Sequence, residues 1–266
     1  MRVSVLSSGS SGNCFYIEND DSAVLIDVGI SCRKISERLF DLGKNTEKIK
    51  GIFITHEHSD HIKGADVFAR TFNIPIFATR ETARNCFLCS NEKLVNEIKN
   101  NEIVDLHGIK IEAFSKSHKA VDPVSYNLFN GKKVSIITDV GYASKAVSEN
   151  IEDSDCLCLE SNHDIKMLEN GPYPYFLKKW ILSDIGHLSN NQAGLCVMEH
   201  AKSKLKNIIL SHLSETNNTP ELALKSLKNF IKERNDLKPR VFVSTKFMAT
   251  ELVRVWIENF INANYV

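Results

Sequence analysis

The chain reads as a layered α/β fold in which sheets are covered by helices. Three observations lead there. Short apolar runs rich in Val, Ile and Leu recur from one end of the sequence to the other. Helical patterns are interleaved between them. The 266 residues, 42% hydrophobic and 25% charged, have ordinary globular composition and a size near the upper limit of one hydrophobic core. Composition excludes disordered, collagen-like and coiled-coil architectures. A single unit spanning residues 1–266 is expected, since a full α/β core leaves no room for a large second one.

The elements begin with β-type runs at 3–6 and 14–17. They flank Ser7-Ser8-Gly9-Ser10-Ser11-Gly12, which reads as a turn between strands. A third strand at 23–27 leads to a helical pattern from Cys32 to Leu42, closed by Gly43. Further strands are expected at 51–55, 74–78, 109–115, 124–129, 133–138, 155–159, 206–210 and 240–243. Two late helices carry start signals. Ser189 with Gln192 forms a capping-box pair, and Ala193, Cys196, Val197 and His200 follow at helical spacing. Thr219-Pro220-Glu221 combines a capping hydroxyl, a proline at the first helical position and an early acid, with Leu224, Leu227 and Ile231 as the apolar face. Gly171-Pro172-Tyr173-Pro174-Tyr175 is expected to be a loop.

Charge and cysteine usage narrow the class. Lys and Arg total 33 against 33 Asp and Glu, so no global field points to nucleic acid or membrane, although a local basic track stays open. Seven cysteines without framework spacing read as reduced thiols, which implies a cytoplasmic protein. Cys86-x-x-Cys89 has no second pair and reads as structural, within a helix. No apolar run reaches the roughly 18–20 residues that span a bilayer, and no signal pattern opens the chain, so no membrane association is expected.

The most informative run is His56-Glu57-His58-Ser59-Asp60-His61, which packs three imidazoles and Asp60 into six residues after the apolar strand at 51–55. Neutral imidazole nitrogen and carboxylate oxygen suit zinc, and also iron or manganese. The helical zinc-protease motif is excluded, because it would need histidine where Asp60 stands. A tight loop can aim His56 and His58 at one point and Asp60 with His61 at a neighbouring one, a geometry that asks for two metals. The remaining ligands should lie at other strand ends. His118, Asp139 and His212 each follow an apolar run.

This ordered set, His56-x-His58-x-Asp60-His61 and then His118, Asp139 and His212, resembles the metallo-β-lactamase-fold hydrolases over nearly the whole chain. The resemblance implies a four-layer αββα sandwich of α/β (α+β) class with a two-metal site at the edge of the paired sheets. It implies His56, His58 and His118 around one ion, Asp60, His61 and His212 around the other, and Asp139 as the bridge. Asp27 resembles the acidic residue that steadies the metal loop. Cys158-Leu159-Glu160-Ser161-Asn162-His163 and Gly186-His187-Leu188-Ser189 resemble the paired acidic and histidine motifs of the transfer-RNA 3′-processing nucleases. By that likeness His187 protonates the leaving oxygen, Glu160 orients it, and Asp60 joins the catalytic set as well as the ligands. His163 and His200 read as structural.

Four further segments resemble the YycJ (WalJ) group: residues 8–13, Gly171-Pro172-Tyr173-Pro174, residues 186–190, and Leu210-Ser211-His212-Leu213-Ser214. That likeness implies a 5′–3′ DNA exonuclease linked to DNA repair, with two divalent ions (zinc or manganese, with iron a further option) and an activated hydroxide as nucleophile. Substrate contacts are expected from Ser10 and Asn13 in the Ser/Gly turn, and from Lys178 and Lys179, which interleave with Tyr173, Tyr175 and Trp180. Residues 201–240 add nine Lys/Arg against four acids. Four rival readings stay open: a small-molecule (cyclic) phosphodiesterase, an RNA-processing nuclease, a thioesterase or lactonase, and a metal-binding module without turnover.

Overall fold

The computed structural model describes residues 1–255. The first half of the chain supplies β1 (Arg2–Ser7), β2 (Cys14–Glu18), β3 (Ala23–Ile26), α1 (Cys32–Asp41), β4 (Ile49–Phe53), α2 (Ser59–Ile62), α3 (Ala65–Phe72), β5 (Ile76–Thr79), α4 (Arg80–Asn85) and β6 (Val95–Ile98). The second supplies β7 (Ile103–Leu106), β8 (Ile109–Ser115), β9 (Val124–Phe129), β10 (Lys133–Ile137), α5 (Lys145–Glu152), β11 (Cys156–Glu160), α6 (Ile165–Asn170), α7 (Tyr175–Ile181), α8 (Asn190–His200), β12 (Asn207–Ser211), α9 (Pro220–Ile231), β13 (Arg240–Val243) and β14 (Val253–Arg254). They assemble into two seven-stranded sheets, ordered β14-β1-β2-β3-β4-β5-β6 and β13-β12-β11-β10-β9-β8-β7.

Strand periodicity decides the layering. In β11, Cys156 and Cys158 point into the core between the sheets, whereas Leu157 and Leu159 point outward beneath the helices. Val3, Val5, Phe15 and Ile17 meet Ile111, Val134, Ile136 and Ile209 across the central layer. Leu6, Tyr16, Leu25 and Ile52 face Ile35 and Leu39 of α1 and Phe68 of α3. Val147 of α5, Val197 of α8 and Leu227 of α9 cover the other outer face. The result is the αββα sandwich, with strands buried on both sides reading as continuous apolar runs.

Strand direction places the site. β8 and β10 are both antiparallel to β9, so they run the same way, and β11 and β12 are parallel to β10. The ends of β8, β10, β11 and β12 therefore share one edge. β3 and β4 are likewise parallel.

The expected caps are present: Ser189 and Gln192 form the reciprocal capping box of α8, and Thr219 caps α9 with Pro220 in its first turn. Three expectations need correction. Tyr175 opens α7 rather than closing a loop, because the seven residues from Tyr175 hold no Gly or Pro and set Leu177, Trp180 and Ile181 at i, i+3 and i+4. On α9 the smaller Ala223 is buried while Leu224 is only half-buried. Helix α4 ends at Asn85, so Cys86 follows it, and Cys86 and Cys89 pack under the first sheet as free thiols. Among the described residues no helix is long and apolar enough to cross a membrane.

Candidate metal centre

The loop after β4 is clamped by backbone bonds before any side chain is considered. Asn13 N–H donates to Asp60 O and Val28 N–H to His61 O, each at 2.8 Å. A Cβ on Gly29 would fall 1.6 Å from Asp60 O, so only glycine allows this approach. Three residues at strand ends, Asp27, Asp139 and His212, hold left-handed backbone angles (φ 58°, 55° and 57°). Such angles cost about 1–3 kcal/mol each and persist where surrounding contacts over-determine them.

Around this frame the donor atoms converge. His56 Nε2 lies 2.9 Å from His58 Nδ1, and His118 Nε2 lies 3.4 Å from the same atom. In a second group, Asp60 Oδ2 lies 3.4 Å from His61 Nε2 and 3.7 Å from His212 Nε2. Asp139 stands between them: its Oδ2 is 3.3 Å from His61 Nε2, and its Oδ1 is 3.5 Å from His212 Nε2 and 3.7 Å from His118 Nε2. The edge of a tetrahedron with metal–ligand distances of about 2.0 Å is roughly 3.3 Å, so these separations suit tetrahedral ions.

In His56, His61, His118 and His212 the nitrogen turned away from the centre is already occupied. His61 Nδ1 donates to Asp27 Oδ2 at 2.7 Å, His212 Nδ1 to Glu160 Oε1 at 2.8 Å, and His118 Nδ1 to Gly186 O at 3.2 Å. Thr55 Oγ1 donates to Asp27 and accepts from His56 Nδ1 at 2.9 Å. These bonds turn the four Nε2 atoms toward the centre, the arrangement metal-ligating histidines use. Two buried atoms there, Asp139 Oδ2 and His212 Nε2, have no hydrogen-bond partner. Orphaned donors of this chemistry fit divalent ions.

Electrostatics divide the two groups. Burial holds the His56 imidazole well below its usual range and pushes that of His118 down to about 3. Burial also acts against His61 and His212, but the carboxylates win. Asp139, Asp27 and Asp60 raise His61 well above its ordinary value, and Asp139, Asp60 and Glu160 carry His212 up to about 10. Burial would raise the Asp139 carboxyl, yet the neighbouring His212 and His61 hold it well below the carboxylate range.

His187 lies outside both triads. Its Nδ1 donates to Glu160 Oε1 at 2.9 Å, and its ring stands edge-on to Trp180 at 5.4 Å. Glu160 is fully buried and accepts from the backbone N–H groups of Asp139, Val140 and Leu188 as well. Asp139, Glu160, His187 and His212 also lie close enough to form a further potential donor group, although Glu160 is occupied by N–H donors. The cleft, about 230 Å³, is lined by His58, Asp60, His118, Asp139, His187 and His212, with Tyr173, Leu177, Trp180 and Ile181 forming a largely apolar wall.

Residues 8–119 match the metallo-beta-lactamase superfamily. Over 244 residues the chain is 37% identical to exodeoxyribonuclease YycJ of Bacillus anthracis, covering 88% of this chain and 90% of that protein. It is 36% identical over 237 residues to exodeoxyribonuclease WalJ of Streptococcus pneumoniae, covering 86% and 87%. The chain belongs to the metallo-beta-lactamase superfamily. Its fold superposes on the metallo-beta-lactamase fold protein YhfI of Bacillus subtilis with a TM-score of 0.67 at 14% identity, covering 94% and 99%. As a superfamily member it carries the fold and donor clusters of a metal-dependent hydrolase. The superfamily match ends just past His118; Asp139, Glu160, His187 and His212 lie beyond it, and the tertiary structure brings these four together.

The anticipated substrate contacts divide. Ser10 lines the cleft. Asn13 does not reach open space: it is fully buried, and its amide contacts Asp60 Oδ2 at 3.3 Å and His61 Nε2 at 3.2 Å. Gly9 and Gly12 N–H are consumed within the turn, by Asn13 Oδ1 and Gly9 O. Lys178 and Lys179 are not cleft residues, because the helical register of α7 turns Leu177, Trp180 and Ile181 inward; Lys178 Nζ donates to Glu169 O. In the basic stretch, Lys202 pairs with Glu152, Lys204 with Asp153 and Asp155, and Arg234 with Asp236. His163 is fully buried and His200 half-buried, both outside the triads.

Sequence reasoning missed Thr55 and Lys116. Lys116 is buried, donates from Nζ to Thr138 O at 2.7 Å, and is pushed down by burial against the pull of Asp139, Asp27, Glu160 and Asp60. The available signal was its place just past β8, two residues after Phe114 and two before His118, so that the three buried side chains alternate along the chain.

Proposed function

We propose that this chain is a two-metal phosphodiesterase acting on DNA, a 5′–3′ exodeoxyribonuclease of the kind named for YycJ and WalJ, with a role in repair. One observation carries the reading: in a single cleft, two convergent triads share Asp139 while a further imidazole, His187, stands beside them on Glu160. The relatives' names supply the substrate class.

His56, His58 and His118 would hold one ion, and Asp60, His61 and His212 the other, with Asp139 common to both. Zinc or manganese suits these donors. Bound there, the ions supply Lewis-acid activation of water and neutralise charge developing on the phosphate. The chain's own residues do the rest. Asp27, Thr55 and Glu160 fix ring orientation and tautomer. Glu160 accepts the hydrogen bond from His187 Nδ1–H and holds that proton in place, so Nε2–H is the group that passes its proton to the departing oxygen as the bond to phosphorus breaks. Trp180 packs against that ring and excludes water from one side.

The modest cleft volume favours a second reading, hydrolysis of a small cyclic phosphodiester. One assay separates the two. Protein supplied with Mn²⁺ or Zn²⁺ is incubated with end-labelled duplex DNA, single strands, RNA, a cyclic nucleotide and a chromogenic phosphodiester. Stepwise release of nucleotides from 5′ ends of duplex DNA is the expected result. Turnover confined to the cyclic nucleotide, or to RNA, would overturn the DNA assignment.

A further inference from the structure

Beside the metal cleft lies a second trough of about 260 Å³, bounded by Leu213, Pro220 and Phe247. It shares Ser214 with the cleft and none of the residues of α7. Its floor is the segment that follows His212, and Ser8, on its wall, accepts the His212 N–H at 2.7 Å through Oγ. The trough is thus one residue away from a candidate ligand.

Phe247 is the unusual feature. Its ring is 80% exposed, yet the loop carrying it is braced on several sides. Ser8 N–H donates to Thr245 O, Arg38 donates to Lys246 O, and Lys246 pairs with Glu215, which also accepts from Ser11 Oγ. An exposed aromatic on a rigid mount is pre-positioned for stacking. The polar groups of the trough are spent internally: Ser244 Oγ donates to Leu210 O, Thr245 Oγ1 accepts from Phe247 N–H, and Lys246 faces Glu215. Lys246, paired with Glu215, also stands 5.1 Å from the Phe247 ring centroid, so a surface with this flat ring, apolar flanks and its charges paired suits a planar heterocycle stacked on the ring's other face and is unsuited to a bare phosphate.

We infer that this trough is a nucleobase slot for the nucleotide adjoining the phosphodiester held in the metal cleft, with Phe247 as its stacking platform. The inference rests on the phosphodiesterase reading above, and its continuity with the cleft through residues 212–214 commits it to that occupant. With its hydrogen-bonding groups consumed, the slot takes any base by stacking and reads no sequence.

The test compares ligands that differ only in the base. Binding of thymidine 5′-monophosphate and of 2-deoxyribose 5-phosphate is measured by calorimetry on the wild-type chain, Phe247→Ala and Phe247→Tyr. The nucleotide should bind wild type more tightly than the sugar phosphate. Phe247→Ala should weaken it by about 5- to 150-fold, the range of stacking losses on alanine substitution. Sugar phosphate binding should not change, and Phe247→Tyr should retain the nucleotide. Because Phe247 is exposed, the melting temperature should stay constant. Equal affinity of the two ligands for wild type, or an equal loss of both in Phe247→Ala, would overturn the slot. A parallel assay of thymidine 5′-(p-nitrophenyl phosphate) against methyl p-nitrophenyl phosphate separates the two readings: failure to cleave either ester refutes the phosphodiesterase, while the binding arm still decides the slot.

Discussion

Replacing Glu160 by glutamine keeps the side-chain shape and tests the most connected group in the centre. The carboxylate receives five N–H donors: Asp139 N, His187 Nδ1 and His212 Nδ1 at Oε1, and Val140 N and Leu188 N at Oε2. Whichever way the amide turns, its NH₂ meets at least one backbone N–H that cannot reverse. Each buried donor left unpaired costs about 1–3 kcal/mol. Loss of the negative charge beside the two imidazoles adds to this, so the variant should be less stable by about 3–5 kcal/mol, the usual cost of breaking a buried pair. The pH dependence gives a second reading. His212 is raised to about 10, so in the metal-free protein its ion-pair stabilisation is complete below its unfolded value of about 6.5 and is lost as pH rises toward 10. Without Glu160 that slope should flatten. Urea denaturation across this pH range, with chelator, measures both quantities. A variant within about 1 kcal/mol of wild type and with the same slope would refute the proposed role of Glu160.

The remaining expectations concern the ions and the proton donor. Loading the His56–His58–His118 group should release little acid, because burial already keeps His56 and His118 neutral, whereas loading the Asp60–His61–His212 group should release about two protons near neutral pH. Calorimetry in buffers of different ionisation heat reads this directly, and equal release from both groups would contradict the division. Asp139→Ala should impair both sites, so full occupancy of two ions by elemental analysis would remove Asp139 as the bridge. His187→Ala should keep its metals and lose roughly 10²–10⁴ in kcat on DNA, with a smaller loss on a p-nitrophenyl ester that departs without a proton. Metal loss in that variant would make His187 a ligand, and equal losses on both substrates would end the donor role.

Much of this was legible because it is written in local chemistry. The continuous apolar runs of β10, β11 and β12 announce strands buried on both faces. The caps of α8 and α9 follow from Ser189 with Gln192 and from Thr219-Pro220, because their partners lie within three residues. The candidate ligands were visible because imidazole and carboxylate stand out at the ends of apolar strands. Other features depend on residues distant in sequence. Ser8 meets His212 across 204 positions, and Asn13 meets His61 across 48. Position in the chain marks Asn13 as a turn residue; only the folded sheets turn it beneath the metal loop. The register of α7 gives the cleft to Leu177, Trp180 and Ile181 and leaves Lys178 and Lys179 outside it, a placement that local sequence does not show. The sequence by itself determined which strands, caps and donor atoms exist, since these follow from propensity, periodicity and side-chain chemistry within a few residues. Which nitrogen of each histidine faces the centre, that Lys116 lies beneath it and that Phe247 flanks it were decided only by tertiary structure, because they depend on packing between segments tens to hundreds of residues apart.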